Sequence, residues 1–149
     1  MTWHPSSEVV ASLSPQLLLI TNVKERKHPF QLNPKAGTTF RECKYSPDPF
    51  APYLYTIENK HQRGDAYLSR WDSSNYRREQ TMRIARKPVA ALATSPKGSL
   101  LAIGTSDGTV IVALAKNFQV CLMCIVDKIE RLTMGKRRFI GGMPATFYR

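Results

Sequence analysis

Short apolar runs recur along this chain with the lengths and spacings of strands, and no segment shows a convincing helical period. Two series of these runs resemble each other. Residues 40–47 and residues 89–96 both end in Ser-Pro, where proline stops a strand and opens a turn. Each is followed by a second apolar run, a third and a weaker fourth. This repetition predicts antiparallel sheets of four strands.

The turns between the runs support the same division. In the second series Asp107-Gly108 predicts a tight hairpin, because both residues tolerate a positive φ. In the first series the matching turn is expected to be longer, from Glu58 to Asp65, and this explains why about 49 residues separate Pro47 from Pro96. The predicted strands are residues 40–47, 53–57, 66–71 and 80–84 in the first series, and residues 89–96, 100–105, 109–113 and 118–126 in the second.

Repeats of this kind are typical of WD-type β-propellers. Trp71-Asp72 ends the third strand of the first series, where such repeats carry the dipeptide that names them. The predicted fold class is therefore all-β: a partial WD-type β-propeller with two four-stranded antiparallel blades and incomplete flanking pieces. The residues interpreted as structural markers of the blades are Trp71, Asp72, Asp107, Gly108, Pro47 and Pro96.

The repeats also suggest domain boundaries. We expect residues 1–39 to be the remnant of a preceding blade, with residues 15–22 as its outer strand and its inner strands either missing or within residues 1–14. Residues 40–87 are predicted to be the first blade, residues 88–127 the second, and residues 128–149 a basic tail without a place in a blade. Because a blade buries its faces only against neighbours, we expect a fragment, an isoform or an incomplete gene model that aggregates or needs a partner when alone.

The charge balance favours acidic partners. The chain has 22 Lys and Arg against 11 Asp and Glu, a net charge of +11. The basic residues concentrate in residues 24–27, 77–87 and 136–138, which the strand assignment places between or beside strands, so that solvated basic loops are the simpler interpretation. No apolar run is long enough to span a bilayer and no signal peptide is evident, which predicts a cytoplasmic location for this chain alone.

The pattern of chemically reactive residues does not indicate an enzyme. Cys121 and Cys124 form a C-x-x-C pair, but a strand would point their side chains to opposite faces, and we expect buried core thiols rather than a metal or redox site. None of the common nucleophile, phosphate-loop or zinc-protease motifs is present. No catalytic residue, metal site or cofactor is predicted.

Several segments resemble the prolactin regulatory element-binding protein family, in the C-terminal half of its propeller. They are Cys43-x-Tyr45, the long hairpin, Ala66–Asp72, Ser73–Tyr76 and Leu100–Val110, in this order. The resemblance covers residues 40–126. It implies a guanine-nucleotide exchange factor on the cytosolic face of the endoplasmic reticulum membrane, whose partner is the small GTPase that starts COPII coat assembly. The exchange loop of the family lies in an N-terminal blade outside the resembling region, so no exchange residue is assigned here, and we expect no exchange activity from this chain.

Two other functions remain open on the sequence alone. The net charge of +11 and the promoter-element binding implied by the family suggest a nucleic-acid-binding WD-repeat protein, for which affinity would fall steeply with salt. A generic WD-repeat scaffold with an unrelated protein partner is the third possibility.

Overall fold

Three four-stranded antiparallel sheets follow one another along the chain in a computed structural model that describes residues 1–27, 29–62 and 64–126. The first sheet consists of β1 (Thr2–Trp3), β2 (Val9–Ser14), β3 (Leu17–Asn22) and β4 (Phe30–Leu32). The second consists of β5 (Thr38–Tyr45), β6 (Tyr53–Lys60), β7 (Ala66–Asp72) and β8 (Arg78–Ala85). The third consists of β9 (Val89–Thr94), β10 (Leu100–Thr105), β11 (Thr109–Leu114) and β12 (Val120–Ile125).

Within each sheet, every strand pairs with the next one along the chain, as expected for strands joined by short hairpins. In the part of the chain that the structure describes, the sheets do not close into a ring. An all-β fold of sequential four-stranded sheets is consistent with a partial β-propeller, and the predicted fold class is confirmed. The predicted basic tail, residues 128–149, lies outside the described residues. Within the described part of the chain, no helix has the length and apolar character needed to cross a membrane.

The first sheet is more complete than the sequence suggested. Strands β1 and β2 lie within residues 1–14, which is one of the two expectations for the inner strands of this blade. Strand β3 is not the outer strand, because it pairs with β4 as well as with β2. The two strands at the edges of this sheet are β1, with 2 residues, and β4, with 3 residues. Strands this short do not show an alternation of apolar and polar residues, which explains why the sequence pattern missed them.

The hairpin between β6 and β7 is shorter than predicted. Residues Glu58 to Lys60 belong to β6 rather than to the turn, and Glu58 pairs with Tyr67 across the sheet. A run of Glu, Asn and Lys is unfavourable in a strand by propensity alone. Tertiary contacts of Glu58 and of Asn59 overcome this preference, because both side chains find partners on other elements.

The second sheet lies between the other two, and both of its faces are buried. One face packs against the first sheet in a cluster of nine buried residues: Ala11, Leu18, Ile20, Leu32, Phe40, Cys43, Tyr45, Leu54 and Trp71. The other face packs against the third sheet, and the core there includes Tyr55, Ile57, Leu68, Leu101, Ile103, Ile111 and Phe118. This explains why five consecutive residues of β6, from Leu54 to Glu58, are buried instead of alternating.

The first strands of the three sheets come together. Strand β5 contacts β9 on one side and both β1 and β2 on the other. Gly98 lies in the turn between β9 and β10, near the end of β5. It adopts a φ of +78°, and a Cβ on it would stand 2.8 Å from the Ser46 hydroxyl. Only glycine fits this close approach without displacing its neighbour. The gathering of first strands is the arrangement expected around a propeller axis.

Candidate protein-interaction site

A charged pair is buried in the second sheet. Glu58 is fully buried, and its Oε1 accepts a hydrogen bond of 2.6 Å from Arg78 Nη1. Its Oε2 accepts one from the Lys35 backbone N–H at 3.0 Å and one from the Thr38 hydroxyl at 2.9 Å. These three donors satisfy the carboxylate in a site without water contact, which is the condition for burying a charge. The pair therefore holds the end of β6 in the sheet.

Trp71 lies beside the Glu58–Arg78 pair. Its indole N–H donates to the Thr56 hydroxyl at 2.9 Å, and the Arg78 guanidinium lies 4.3 Å from its ring centre. Asp72, the next residue, accepts hydrogen bonds from the backbone N–H and the hydroxyl of Ser74, which keep the pKa of its carboxyl below the ordinary value. Both marker residues thus make local structural contacts: Trp71 within the sheet and Asp72 in the turn after β7.

The other marker residues lie in turns. Asp107 lies in the β10–β11 hairpin, where its carboxylate accepts hydrogen bonds from Thr105 and Thr109 that lower its pKa, and Gly108 has a φ of +85°. Pro47 and Pro96 follow two serines with the same role. The Ser46 N–H donates to the Tyr53 carbonyl at 2.8 Å, and the Ser95 N–H donates to the Leu100 carbonyl at 2.9 Å. The two Ser-Pro turns are therefore equivalent in structure.

Two polar side chains connect the second and third sheets. The Asn59 side-chain amide donates to the Val89 carbonyl and accepts from the Val89 N–H, both at 3.1 Å. At the other end of the sheets, Arg70 Nη1 donates to the Lys116 carbonyl at 2.6 Å. The sequence did not single out either residue, because a partner thirty or more residues away leaves no local signal.

The outer face of the third sheet is apolar and unpartnered among the described residues. Ala93, Ala102, Val112 and Leu122 stand side by side across its four strands. Leu122 is 50% exposed, and the neighbouring row of this face, Ala91, Gly104, Val110 and Cys124, is also uncharged. The second sheet buries comparable faces on both of its sides. The outer face of the third sheet is therefore suited to packing against another protein surface.

The cysteine prediction is partly wrong. Cys121 and Cys124 lie on β12 as expected, but Cys121 is exposed and Cys124 is half-buried, because β12 is the last strand of the third sheet. Cys43 is the buried thiol, and burial raises its pKa to about 11. Among residues 1–27, 29–62 and 64–126, no cluster of three or more His, Cys, Asp and Glu side chains could hold a metal ion.

Comparison with known proteins finds relatives that are similar in sequence. The chain is 29% identical over 87 residues to the guanine nucleotide-exchange factor SEC12 of Rattus norvegicus, an alignment that covers 54% of this chain and 21% of the rat protein. The chain is similar to SEC12. Two proteins of Arabidopsis thaliana agree: SEC12-like protein 2 is 24% identical over 119 residues (80% of this chain, 30% of that protein), and SEC12-like protein 1 is 30% identical over 79 residues (52% and 19%).

The likeness is distant and covers part of each relative. The alignments span between 19% and 30% of the length of the curated relatives. No protein-family model matches the chain. The similarity nevertheless agrees with the resemblance seen in the sequence, since the rat relative is a guanine nucleotide-exchange factor.

Proposed function

We propose that this chain is a protein-interaction segment of a SEC12-related guanine-nucleotide exchange factor. Its partner is the small GTPase of the COPII coat, and it acts on the cytosolic face of the endoplasmic reticulum membrane, in transport toward the Golgi. The observation that carries the proposal is the similarity to the rat exchange factor over 87 residues, in a chain folded as sequential four-stranded sheets.

The proposal includes the internal organisation of the chain. Residues 40–87 and residues 88–127 are two WD-type blades, and the six marker residues are structural parts of them. The contacts of Trp71 and Asp107 support this role, because each satisfies hydrogen bonds inside its own sheet or hairpin. None of the six is assigned a part in exchange.

An exchange factor needs differential binding rather than a nucleophile or a base. It binds the nucleotide-free GTPase more tightly than the loaded form, and by linkage it weakens the binding of nucleotide. Rigid sheets with a packed core suit this task, because the surface they present does not have to be ordered on binding. The absence of a metal-binding cluster among the described residues does not conflict with such a mechanism.

The test is retention of the COPII GTPase on the immobilised full chain. The GTPase is offered nucleotide-free, loaded with GDP, and loaded with a non-hydrolysable GTP analogue. We expect the nucleotide-free form to be retained preferentially, and a small GTPase of another family serves as the control. Equal retention of the three forms, or equal retention of the control GTPase, would contradict the proposal. Release of labelled GDP measured in parallel separates binding from exchange activity.

A further inference from the structure

The second and third sheets separate at their outer strands and leave a groove open. A row of side chains crosses the inner face of the third sheet from Leu92 through Ile103 and Ile111 to Met123. The first three are buried, whereas Met123 on β12 is 59% exposed. We call this opening, between β8 and β12, the β8–β12 groove; its volume is about 390 Å³.

The space between the second and third sheets is filled by side chains at one end and open at the other. Phe118, in the β11–β12 turn, is fully buried and packs edge-on against Tyr55 with 6.3 Å between ring centres. At the end near the β10–β11 hairpin, the groove is lined by the aliphatic side chains of Ile84, Ile111 and Met123. Ile84 and Ile111 are buried, so the accessible part of this apolar floor is Met123.

Basic side chains form one wall of the groove. Arg83 at the end of β8 and Arg86 and Lys87 in the connection to β9 all line it. Arg83 is half-exposed and lies 3.8 Å from an Asp65 carboxylate oxygen, a long contact for an ion pair. Among the described residues, neither Arg86 nor Lys87 has a carboxylate within ion-pair distance.

Asp107 neutralises this wall only in part. It is the one carboxylate among the described residues of the groove, and the hydrogen bonds from Thr105 and Thr109 lower its pKa and keep it ionised, so its charge offsets one of the three cations. The wall thus keeps an excess of positive charge beside an apolar floor. Such a combination is complementary to a segment that carries carboxylates on both sides of an apolar residue.

We propose that the β8–β12 groove binds a short acidic segment of a partner protein. One apolar side chain of the segment lies against the exposed Met123, above the buried Ile84 and Ile111, and carboxylates of the segment pair with Arg86 and Lys87. The inference does not depend on the proposed GTPase partner. A nucleic acid fits less well, because no aromatic ring is among the described residues of the groove and bases would have nothing to stack on.

The probe for this site is a fluorescein-labelled peptide, Asp-Glu-Leu-Glu-Asp, titrated with the full chain and followed by fluorescence anisotropy. We expect saturable binding that weakens about tenfold or more when the peptide is replaced by Asn-Gln-Leu-Gln-Asn, because the charge-assisted pairs are lost. Replacing the central Leu by Ser is expected to weaken binding as well, since the floor then gains no apolar contact.

Substitutions in the chain test whether the peptide binds in the β8–β12 groove. The double substitution Arg86→Glu/Lys87→Glu is expected to abolish binding, and Met123→Ser to weaken it severalfold. Lys97→Glu/Lys116→Glu changes the net charge equally at exposed positions in other hairpins and is expected to leave the affinity unchanged. The melting temperature of each variant shows whether it is folded.

Three results would overturn the inference. One is full affinity in the Arg86→Glu/Lys87→Glu variant, or an equal loss in the Lys97→Glu/Lys116→Glu control. The second is equal affinity for the Leu and Ser peptides, which would reduce the interaction to charge alone. The third is tighter, Arg86-dependent binding of an oligothymidylate, which would assign the groove to nucleic acid.

Discussion

Arg78 Nη1 lies 2.6 Å from Oε1 of the fully buried Glu58, although 20 residues separate them along the chain. Arg78 is on the outermost strand of the second sheet, and its guanidinium also covers the face of Trp71. One side chain thus neutralises the buried charge and screens the indole from solvent.

Removal of this arginine should destabilise the chain strongly. Arg78→Ala leaves the Glu58 carboxylate buried without its cation, and we expect the free energy of unfolding to fall by about 3–5 kcal/mol. Urea denaturation followed by tryptophan fluorescence measures the change. Arg77→Ala, at the exposed neighbouring position, is the matched control and should cost less than about 0.5 kcal/mol. Similar losses in the two variants would show that the pair does not hold the sheet.

Gly98 has close neighbours, whereas Gly108 has none within 4 Å, so an alanine should lower stability more at Gly98 than at Gly108. Both have a positive φ, +78° and +85°, so alanine at either costs about 1–2 kcal/mol for the backbone conformation. At Gly98 the added Cβ also meets the Ser46 hydroxyl at 2.8 Å, whereas at Gly108 nothing lies within 4 Å. We expect Gly98→Ala to lower the melting temperature more than Gly108→Ala.

A double substitution tests whether the Ser46 contact is the cause. In a Ser46→Gly background the hydroxyl is gone, and the additional cost of Gly98→Ala should shrink toward that of Gly108→Ala. An unchanged additional cost would indicate that the nearby ring of Pro47, 3.4 Å from the built Cβ, limits the space instead.

Alkaline pH should destabilise the fold. Burial raises the pKa of Cys43 from 9.0 to about 11, and burial raises that of Tyr55 from 10.0 to about 12. Below pH 9 both groups are neutral in the folded and the unfolded chain, so stability is fully present. As the pH rises further, the unfolded chain loses these protons first, and the free energy of unfolding falls between pH 9 and pH 12.

The midpoint of urea unfolding, measured at a series of pH values, shows whether the free energy of unfolding falls as the pH rises. The Cys43→Ala variant should lose part of the slope between pH 9 and pH 11 and keep the part due to the tyrosines Tyr45, Tyr55 and Tyr76, whose pKa values burial also raises. A midpoint that stays constant or rises over this range would contradict the expected burial of both groups.

The exposed third sheet should make the chain self-associate. Leu122 is 50% exposed on the apolar outer face, beside Val112 on the neighbouring strand. We expect Leu122→Lys to reduce the concentration-dependent increase in mass seen by sedimentation velocity, because a charge opposes burial of this face. Val23→Lys adds the same charge at a residue that is 54% exposed in a turn, and it should have little effect. Equal behaviour of the two variants would exclude this face as the contact.

The strands of the second and third sheets could be predicted from local patterns, and so could their hairpins apart from the length of the β6–β7 turn. Ser-Pro at the ends of β5 and β9 and Asp107-Gly108 between β10 and β11 act within a few residues, through proline geometry and positive φ. The first sheet was only partly predicted, because β1 and β4 are too short for any alternation to show.

Local sequence patterns suffice for the strand order, most of the hairpins and the four-stranded repeat, since these depend on neighbours in the chain. Three other features follow from the packing of the sheets: Glu58 is buried, Cys121 is exposed, and a basic groove opens between β8 and β12. Each of these depends on which sheets pack together and which edge remains uncovered. Burial and charge pairing act across space between residues distant in the chain, so no local pattern of residues encodes them.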